Sequence, residues 1–326
     1  MSNRLPASNE TSHDTSNDVQ NEVPNDVPNE AQFSAPGAAS LLASPHATVL
    51  APRDAPARIL IVLHREQSSP GRVGRLLQQR GYELDIRRPP LGDPLPTSMR
   101  DHAGAVIFGG PMSANDSDAW IRTETDWIGV PLREQAPFLG ICLGAQMMIR
   151  HLGGKVSAHR DGIAEIGYWP IKPTLSGRAL CQWPERVYQW HREGFESVTG
   201  LERLAVGEQF ENQAVRYGPA AFGVQFHPEV SYQMMRRWSA AAAHKLGAPG
   251  AQDIPAQTRE GHRHDRAGVV WLNSFLDRWL SLGMAGSVGS VGSVRSNGSV
   301  GGETRGHIAD AQQPPLDRLE HRLVTT

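Results

Sequence analysis

A cysteine between two glycines is the first candidate for chemistry in this chain. Gly140, Cys142 and Gly144 follow an apolar run in "PFLGICLGAQ" and have the spacing of a nucleophile elbow, a sharp turn between a strand and a helix. There the helix N-terminus stabilises a thiolate, and the backbone N–H of Leu143 can point at an oxyanion on the attacked carbon. An inert cysteine packed between small residues has the same pattern, so the pattern alone leaves both interpretations open.

A histidine and a glutamate two residues apart could serve that thiol. His227 and Glu229 lie in "GVQFHPEV", after an apolar strand, where an extended or turn backbone can aim both side chains to the same side. His227 would take the proton of Cys142 and later return it to a leaving amine, while Glu229 would orient and stabilise the imidazole. The chain has 13 histidines, and most of them must be ordinary surface or core residues.

A glycine pair ends another apolar segment. Gly109 and Gly110 follow "AVIF", and glycines at the end of a central strand permit a backbone in which an N–H faces a pocket. Such an N–H would complete an oxyanion hole with Leu143. An ordinary turn after a strand is the alternative interpretation.

Composition excludes several classes of protein. The 326 residues carry a formal net charge of -2, which leaves no basic surplus for nucleic acid or an anionic membrane, and 39% are hydrophobic, enough for a core. The two cysteines, Cys142 and Cys181, form neither a disulfide framework nor a zinc site and suit a reducing cytoplasm. Cys181 matches no motif and is expected to be an ordinary, partly buried thiol. No export signal and no bilayer-spanning run are found, so we expect a cytoplasmic protein.

Low-complexity segments flank the predicted folded body. Residues 1–56 are rich in Asn, Asp, Glu, Ser and Pro, which is typical of a disordered acidic tail. Residues 284–326 begin with a "GSV" repeat and predict a flexible Gly/Ser-rich tail. The domain is therefore predicted over residues 57–283, within the size range of a single α/β domain.

Strands alternate with helices in the first half of that domain. "RILIVL", residues 83–87, "AVIF" and "PFLGIC" have strand length and composition, and "RVGRLLQQRG" has helical spacing. One stripe of a second helix carries Trp120, Thr123, Glu124, Trp127 and Ile128. The alternation predicts an α/β fold with a mostly parallel sheet and helices on both faces, which binds ligands at the carboxyl ends of its strands.

The second half has a different pattern. Short segments rich in β-branched and aromatic residues, "IGYWPI", "RVYQW", "QAVRYG" and "AFGVQF", predict a small additional β region. A helix is expected from about Ser231 to His244, and an amphipathic terminal helix from Val269 to Leu282. The polar segment between them, Gly247 to Arg266, is expected to be a loop.

Four motifs together resemble a known family. "GGPMSAND", "FLGICLGAQMM", "QWHREGF" and "GVQFHPEV" occur in this order and look like the signatures of the class I (triad) glutamine amidotransferases. The chain is most similar to the stand-alone type that resembles the amidotransferase domain of GMP synthase, over about Arg58 to Trp238. The resemblance implies a flavodoxin-like fold and hydrolysis of the γ-amide of L-glutamine through a Cys-His-Glu triad and a γ-glutamyl thioester.

The resemblance also implies the roles of individual residues. Cys142, His227 and Glu229 match the triad, and the backbone N–H groups of Gly110 and Leu143 match the oxyanion donors.

Two further residues match substrate contacts in the family. Gln146 matches a contact downstream of the nucleophile. His191, in "QWHREGF", matches in place the loop that meets the α-amino and α-carboxylate groups of glutamine, although GMP synthases usually carry Ser-His where this chain has Trp190-His191. The residues alone equally allow Trp190 and Phe195 to pack the small β region, with His191 on the surface.

Three functions follow from these observations. The first is a glutaminase that releases ammonia for a separate synthase, because the residues after Trp238 are too few for a second catalytic domain and contain no phosphate-binding Gly-rich loop. The second is a γ-glutamyl amine or peptide hydrolase or transferase, since the same triad cleaves any γ-amide that fits. The third is a catalytically idle regulatory or binding protein, against which the intact triad argues. No metal or other cofactor is predicted, and "GHRH" at 261–264 is expected to be solvated.

Overall fold

The computed structural model describes residues 57–288, with side chains over residues 57–282. The predicted tails, residues 1–56 and the part of 284–326 after Val288, lie outside the described residues. In chain order the strands are β1 Arg58–Val62, β2 Glu83–Arg87, β3 His102–Ile107, β4 Phe138–Ile141, β5 Val156–Ala158, β6 Glu165–Pro170, β7 Lys172–Pro173, β8 Arg186–His191, β9 Glu193–Phe195, β10 Leu201–Val206, β11 Asn212–Tyr217 and β12 Ala221–Val224. The helices are α1 Gly71–Gln79, α2 Ala119–Trp127, α3 Gly129–Arg133, α4 Leu143–His151, α5 Leu175–Leu180, α6 Tyr232–Ala241 and α7 Ile254–Val288, with short 3-10 turns at Pro89–Leu91 and Ala243–Gly247.

An eight-stranded sheet in the order β2-β1-β3-β4-β12-β11-β10-β7 forms the centre of the domain. The strands from β2 to β12 are parallel, and β11, β10 and β7 continue the sheet in antiparallel pairs. The parallel part has the flavodoxin-like order, with ligand sites expected at the carboxyl edge. Two separate ribbons, β5–β9 and β6–β8, make up the additional β structure. The predicted α/β fold is confirmed.

Two layers of helices cover the sheet, because its side chains alternate between the faces. Ile59 and Ile61 belong to one core with α1 and α7, whereas Leu60 and Val62 belong to the other core, with α2 and α4. All four side chains are fully buried. Burial of each contributes about 1.5–3 kcal/mol relative to exposure, so the central strands are the best-stabilised part of the domain.

Helix α7 corrects the predicted loop at Gly247–Arg266. Its 35 residues start at Ile254 and end at Val288, beyond the domain boundary predicted at residue 283. The first turns were missed because polar residues occupy their buried face and hide the apolar period. Gln257 is fully buried and accepts hydrogen bonds from Tyr188 and Ser239, and Asp265 makes a two-bond ion pair with Arg72. Within residues 57–288 no helix, α7 included, combines the length and apolarity needed to cross a membrane.

Candidate active site

The turn between β4 and α4 carries Cys142 in a strained conformation. Its backbone has φ 49° and ψ −103°, a region that costs a non-glycine residue about 1–3 kcal/mol. A side chain at Gly140 would lie 2.6 Å from the carbonyl oxygen of Gly144, and one at Gly144 would overlap the carbonyl oxygen of Ile107. Both glycines are therefore required for the close approach of strand and helix at this turn, as a nucleophile elbow needs.

Hydrogen bonds to neighbouring strands hold Cys142 in place. Its N–H donates to the carbonyl of Val224 at 2.8 Å, which continues the β4–β12 pairing past the end of β4. The thiol is 6% exposed, and its Sγ accepts a hydrogen bond from the Gln225 amide at 3.5 Å. The thiol thus lies at the N-terminal end of α4, where the helix dipole favours a thiolate.

His227 and Glu229 follow β12, which lies directly beside β4. Nδ1 of His227 is 2.8 Å from Oε1 of Glu229, and both side chains are buried. Burial by itself lowers the pKa of His227, but the charges of Glu229 and Cys142 and hydrogen bonds to both raise the pKa to about 10. Nε2 has no nitrogen or oxygen partner among the described groups, so this nitrogen is available for a proton of the thiol or of a substrate.

Gly109 brings the thiol and the imidazole into one pocket. A Cβ at Gly109 would lie 2.6 Å from Cε1 of His227 and 3.4 Å from Cβ of Cys142. A Cβ at the next residue, Gly110, would lie 3.0 Å from the side chain of Leu143. The two backbone segments predicted to donate to an oxyanion therefore lie side by side at the mouth of the elbow.

Gln146 lies in the first turn of α4, just after the nucleophile, and is 3% exposed. Its amide nitrogen donates to the carbonyl of Glu193 at 2.8 Å and to Oε1 of Gln225 at 3.3 Å. Because Gln225 also contacts Sγ of Cys142, one chain of polar groups connects the thiol to the loop around Glu193.

His191 supports the same loop from below. Its Nδ1 is 3.0 Å from the carbonyl of Glu193, and its Nε2 is 3.0 Å from Oε2 of Glu165. The side chain is buried, so the surface position considered for it is wrong. Both ring nitrogens are engaged within the protein, and a contact of this segment with substrate stays a prediction.

Four polar residues of the site escaped the sequence predictions. Gln225 stands within "GVQFHPEV" and contacts the thiol, and Glu165 lies beneath His191. His64 and Glu124 form a buried pair at 2.9 Å next to the glycine turn. The available signals were a histidine directly after "RILIVL" and a glutamate on the apolar stripe of a helix. Among the described side chains, no cluster of three or more His, Cys, Asp or Glu residues could hold a metal ion.

Comparison with known proteins agrees with this geometry. The family model for glutamine amidotransferase class-I matches residues 71–238, just over half of the chain, and this match includes Gly110, Cys142, His227 and Glu229. The chain therefore belongs to the class-I glutamine amidotransferase family, and it is an enzyme of glutamine amide hydrolysis.

Named relatives cover the same domain. The glutamine amidotransferase-like protein YfeJ of Salmonella typhimurium is 28% identical over 186 residues, which are 54% of this chain and 77% of YfeJ. The amidotransferase-sized subunit of the glutamine-hydrolyzing GMP synthase of Methanospirillum hungatei is 28% identical over 159 residues, 47% of this chain and 78% of that relative. Of the longer, single-chain GMP synthases that it matches, the chain spans only 24% to 30%.

A solved structure has the same fold. The glutamine amidotransferase of Methylobacillus flagellatus superimposes with a TM-score of 0.64 at 27% identity, covering 70% of this chain and 94% of that protein.

Proposed function

We propose that this chain hydrolyses a γ-glutamyl amide through Cys142, His227 and Glu229. The arrangement that carries the proposal is a strained cysteine at a helix N-terminus beside an imidazole whose other nitrogen is bonded to a buried carboxylate. Strain of this kind is maintained where the surrounding structure imposes it, and it is concentrated at functional sites. A packed, inert thiol would need neither the strain nor the two close glycines.

The proton transfers follow from the two nitrogens of the imidazole. His227 takes the thiol proton on Nε2, and the thiolate attacks the γ-carbonyl carbon of glutamine. The tetrahedral intermediate collapses when the imidazolium returns that proton to the leaving ammonia. Water, deprotonated by the same nitrogen, then hydrolyses the γ-glutamyl thioester to glutamate and the free thiol. Glu229 fixes the tautomer and stabilises the imidazolium in both halves of the reaction.

Negative charge on the attacked oxygen needs donors that are already in position. The N–H of Leu143 begins α4, and the N–H of Gly110 belongs to the glycine turn beside it. Two such donors would surround the oxyanion, and losing one costs about 10²–10³-fold in kcat in comparable sites.

A separate protein is the proposed acceptor of the ammonia. The relative from Methanospirillum hungatei is named as one subunit of a GMP synthase, which supports use of the ammonia on another chain. In the part of this chain that the structure describes, the residues after Trp238 form the end of α6, a 3-10 turn and α7, and α7 packs back on the sheet. They add no second catalytic domain within residues 57–288.

A larger leaving amine is the second candidate. The ring of Trp238 lies 5.1 Å from that of His227, edge to face, and Trp190 lies 6.0 Å from Trp238. Because His227 protonates the leaving amine, these half-buried rings offer an apolar surface near the leaving group. That surface favours an amine with an apolar substituent, and hence a γ-glutamyl amine or peptide hydrolase.

One assay separates the candidates. The purified protein is given L-glutamine and a panel of γ-glutamyl amides, with and without an ammonia-using synthase, and product release is compared with a Cys142→Ala variant. Faster release from glutamine supports the first candidate, and faster release from an amide with an apolar amine supports the second. No Cys142-dependent release from any substrate would overturn both.

A further inference from the structure

A buried ion pair lies behind the glycine turn and has no part in the triad. Nε2 of His64 is 2.9 Å from Oε1 of Glu124, and both side chains are completely shielded from solvent. His64 follows β1, and Glu124 projects from α2, so the pair joins two elements on one side of the parallel sheet. Removing two charged groups from water is costly, and a well-packed apolar pair is often at least as stable. Stability alone therefore gives no reason for this pair.

The second nitrogen of His64 connects the pair to the glycine turn. Nδ1 is 3.1 Å from the carbonyl oxygen of Gly109. A Cβ at Gly110 would lie 3.2 Å from the same Nδ1, so the imidazole packs directly against the Gly109–Gly110 peptide. His64 is the residue that contacts this peptide from the side opposite to Cys142.

The orientation of one peptide group follows from this contact. The peptide between Gly109 and Gly110 is trans, and in a trans peptide the C=O and N–H point in opposite directions. When His64 holds the carbonyl, the N–H of Gly110 is directed to the other side, where Gly109 packs against Cys142 and His227. Two successive glycines would otherwise allow this peptide to rotate easily.

We propose that His64 and Glu124 are positioning residues that lock the Gly109–Gly110 peptide with its N–H directed at the oxyanion position. The inference rests on the proposed γ-amide hydrolysis and adds the groups that keep its oxyanion hole assembled. Glu124 acts through His64, and neither side chain touches the substrate.

The protonation state of His64 suits this role. Burial lowers the pKa of His64, but the charge and hydrogen bond of Glu124, and the hydrogen bond to Gly109, outweigh it and raise the pKa above its usual value. A protonated imidazole donates from both nitrogens, one to the carboxylate and one to the carbonyl. The other oxygen of Glu124 has no hydrogen-bond partner among the described groups, so the carboxylate depends on His64.

Kinetics of three variants test the lock. In His64→Phe the ring remains but both donors are lost, whereas the amide of His64→Asn can still donate near the Nδ1 position. Glu124→Gln keeps the shape and removes the charge. We expect kcat for the best γ-glutamyl substrate to fall about 10–100-fold in His64→Phe and Glu124→Gln, less than for complete loss of a donor, with KM little changed. His64→Asn should recover part of that loss.

A matched pair at the other end of β3 provides the control. Nε2 of His102 is 3.0 Å from Oδ2 of Asp85, and His102 starts the strand that ends before Gly109. His102→Phe and Asp85→Asn should leave kcat per folded molecule unchanged. Alkylation of Cys142 by iodoacetamide, which needs no oxyanion hole, should proceed at the wild-type rate in all five variants.

The orientation of the peptide can also be observed without turnover. When glycine is labelled with ¹³C at the carbonyl and ¹⁵N at the amide, only a peptide between two glycines gives a ¹³C–¹⁵N correlated signal. The sequence contains three such peptides, 109–110, 153–154 and 301–302. Glu124→Gln should move the 109–110 signal, and Asp85→Asn should not.

The outcomes distinguish this inference from the proposed function. Unchanged kcat in His64→Phe and Glu124→Gln, or an equal loss in His102→Phe, overturns the lock while the hydrolase remains. If wild-type protein cleaves no γ-amide, the proposed function fails, and the 109–110 signal alone decides the lock. A signal that does not move in Glu124→Gln overturns the lock in either case.

Discussion

Nδ1 of His227 lies 2.8 Å from Oε1 of Glu229, and the two side chains belong to a single turn after β12. The carboxylate is 2% exposed and the imidazole 5%, so water does not weaken their interaction. The short sequence distance means that the base and its orienting group move together. Their position relative to Cys142 depends on the pairing of β12 with β4.

Loss of the carboxylate should reduce turnover strongly. In Glu229→Gln the amide can donate to Nδ1 and favour the wrong tautomer, so we expect kcat to fall roughly 10²–10⁴-fold with a small change in KM. Steady-state release of ammonia measures this effect. Glu196→Gln, at an exposed position, is the control, and similar kcat values for the two variants would contradict the role of Glu229.

The raised pKa of His227 predicts how stability changes with pH. The folded-state pKa of about 10 exceeds the ordinary value of 6.5, so the stabilisation is complete below 6.5 and is lost as pH rises through 10. We expect the free energy of unfolding of wild type to exceed that of His227→Gln by most near pH 6, and the difference to shrink towards pH 10. Urea denaturation across this range measures it, and a difference independent of pH would refute the expectation.

The two thiols should react at different rates. Burial raises the pKa of Cys181, only partly offset by a hydrogen bond with Trp271, whereas Cys142 lies at a helix N-terminus beside His227. We expect a glutamine-like electrophile to alkylate Cys142 at least about 10-fold faster than Cys181 near neutral pH. Mass spectrometry of the two peptides gives both rates, with Cys142→Ala as the control. Equal rates would contradict a reactive thiol.

The elbow should tolerate no side chain at its glycines. In Gly144→Ala the new methyl group would overlap the carbonyl of Ile107, so β3 or α4 must move, and we expect a loss of about 1–3 kcal/mol of stability together with most of the activity. Gly268→Ala is the control, because its Cβ meets no atom within 4 Å and the residue lies inside α7. That variant should be stabilised by about 0.5–1 kcal/mol. Thermal unfolding and kcat measure both, and a harmless Gly144→Ala would argue against the tight turn.

Local patterns predicted the alternating half of the domain well. The apolar runs from "RILIVL" to "PFLGIC" became β1 to β4, because a strand buried on both faces needs an unbroken apolar run. The start of α7 was missed because Gln257 and Asp265 face polar partners that are distant in sequence. Periodicity detects burial against apolar groups, and it does not detect burial against Tyr188 or Arg72.

The candidate site divides in the same way. The sequence determined the residue types and their local geometry: a cysteine between glycines, and a histidine two residues before a glutamate. Only the tertiary structure decided that these meet, because β4 and β12 are neighbours in the sheet although about 80 residues separate them in the chain. It also decided that His64 and Glu124 lie behind Gly109 and that His191 faces inward. The physical reason is that a buried polar group is positioned by its hydrogen-bond partners, and those partners come from elements that sequence distance does not connect.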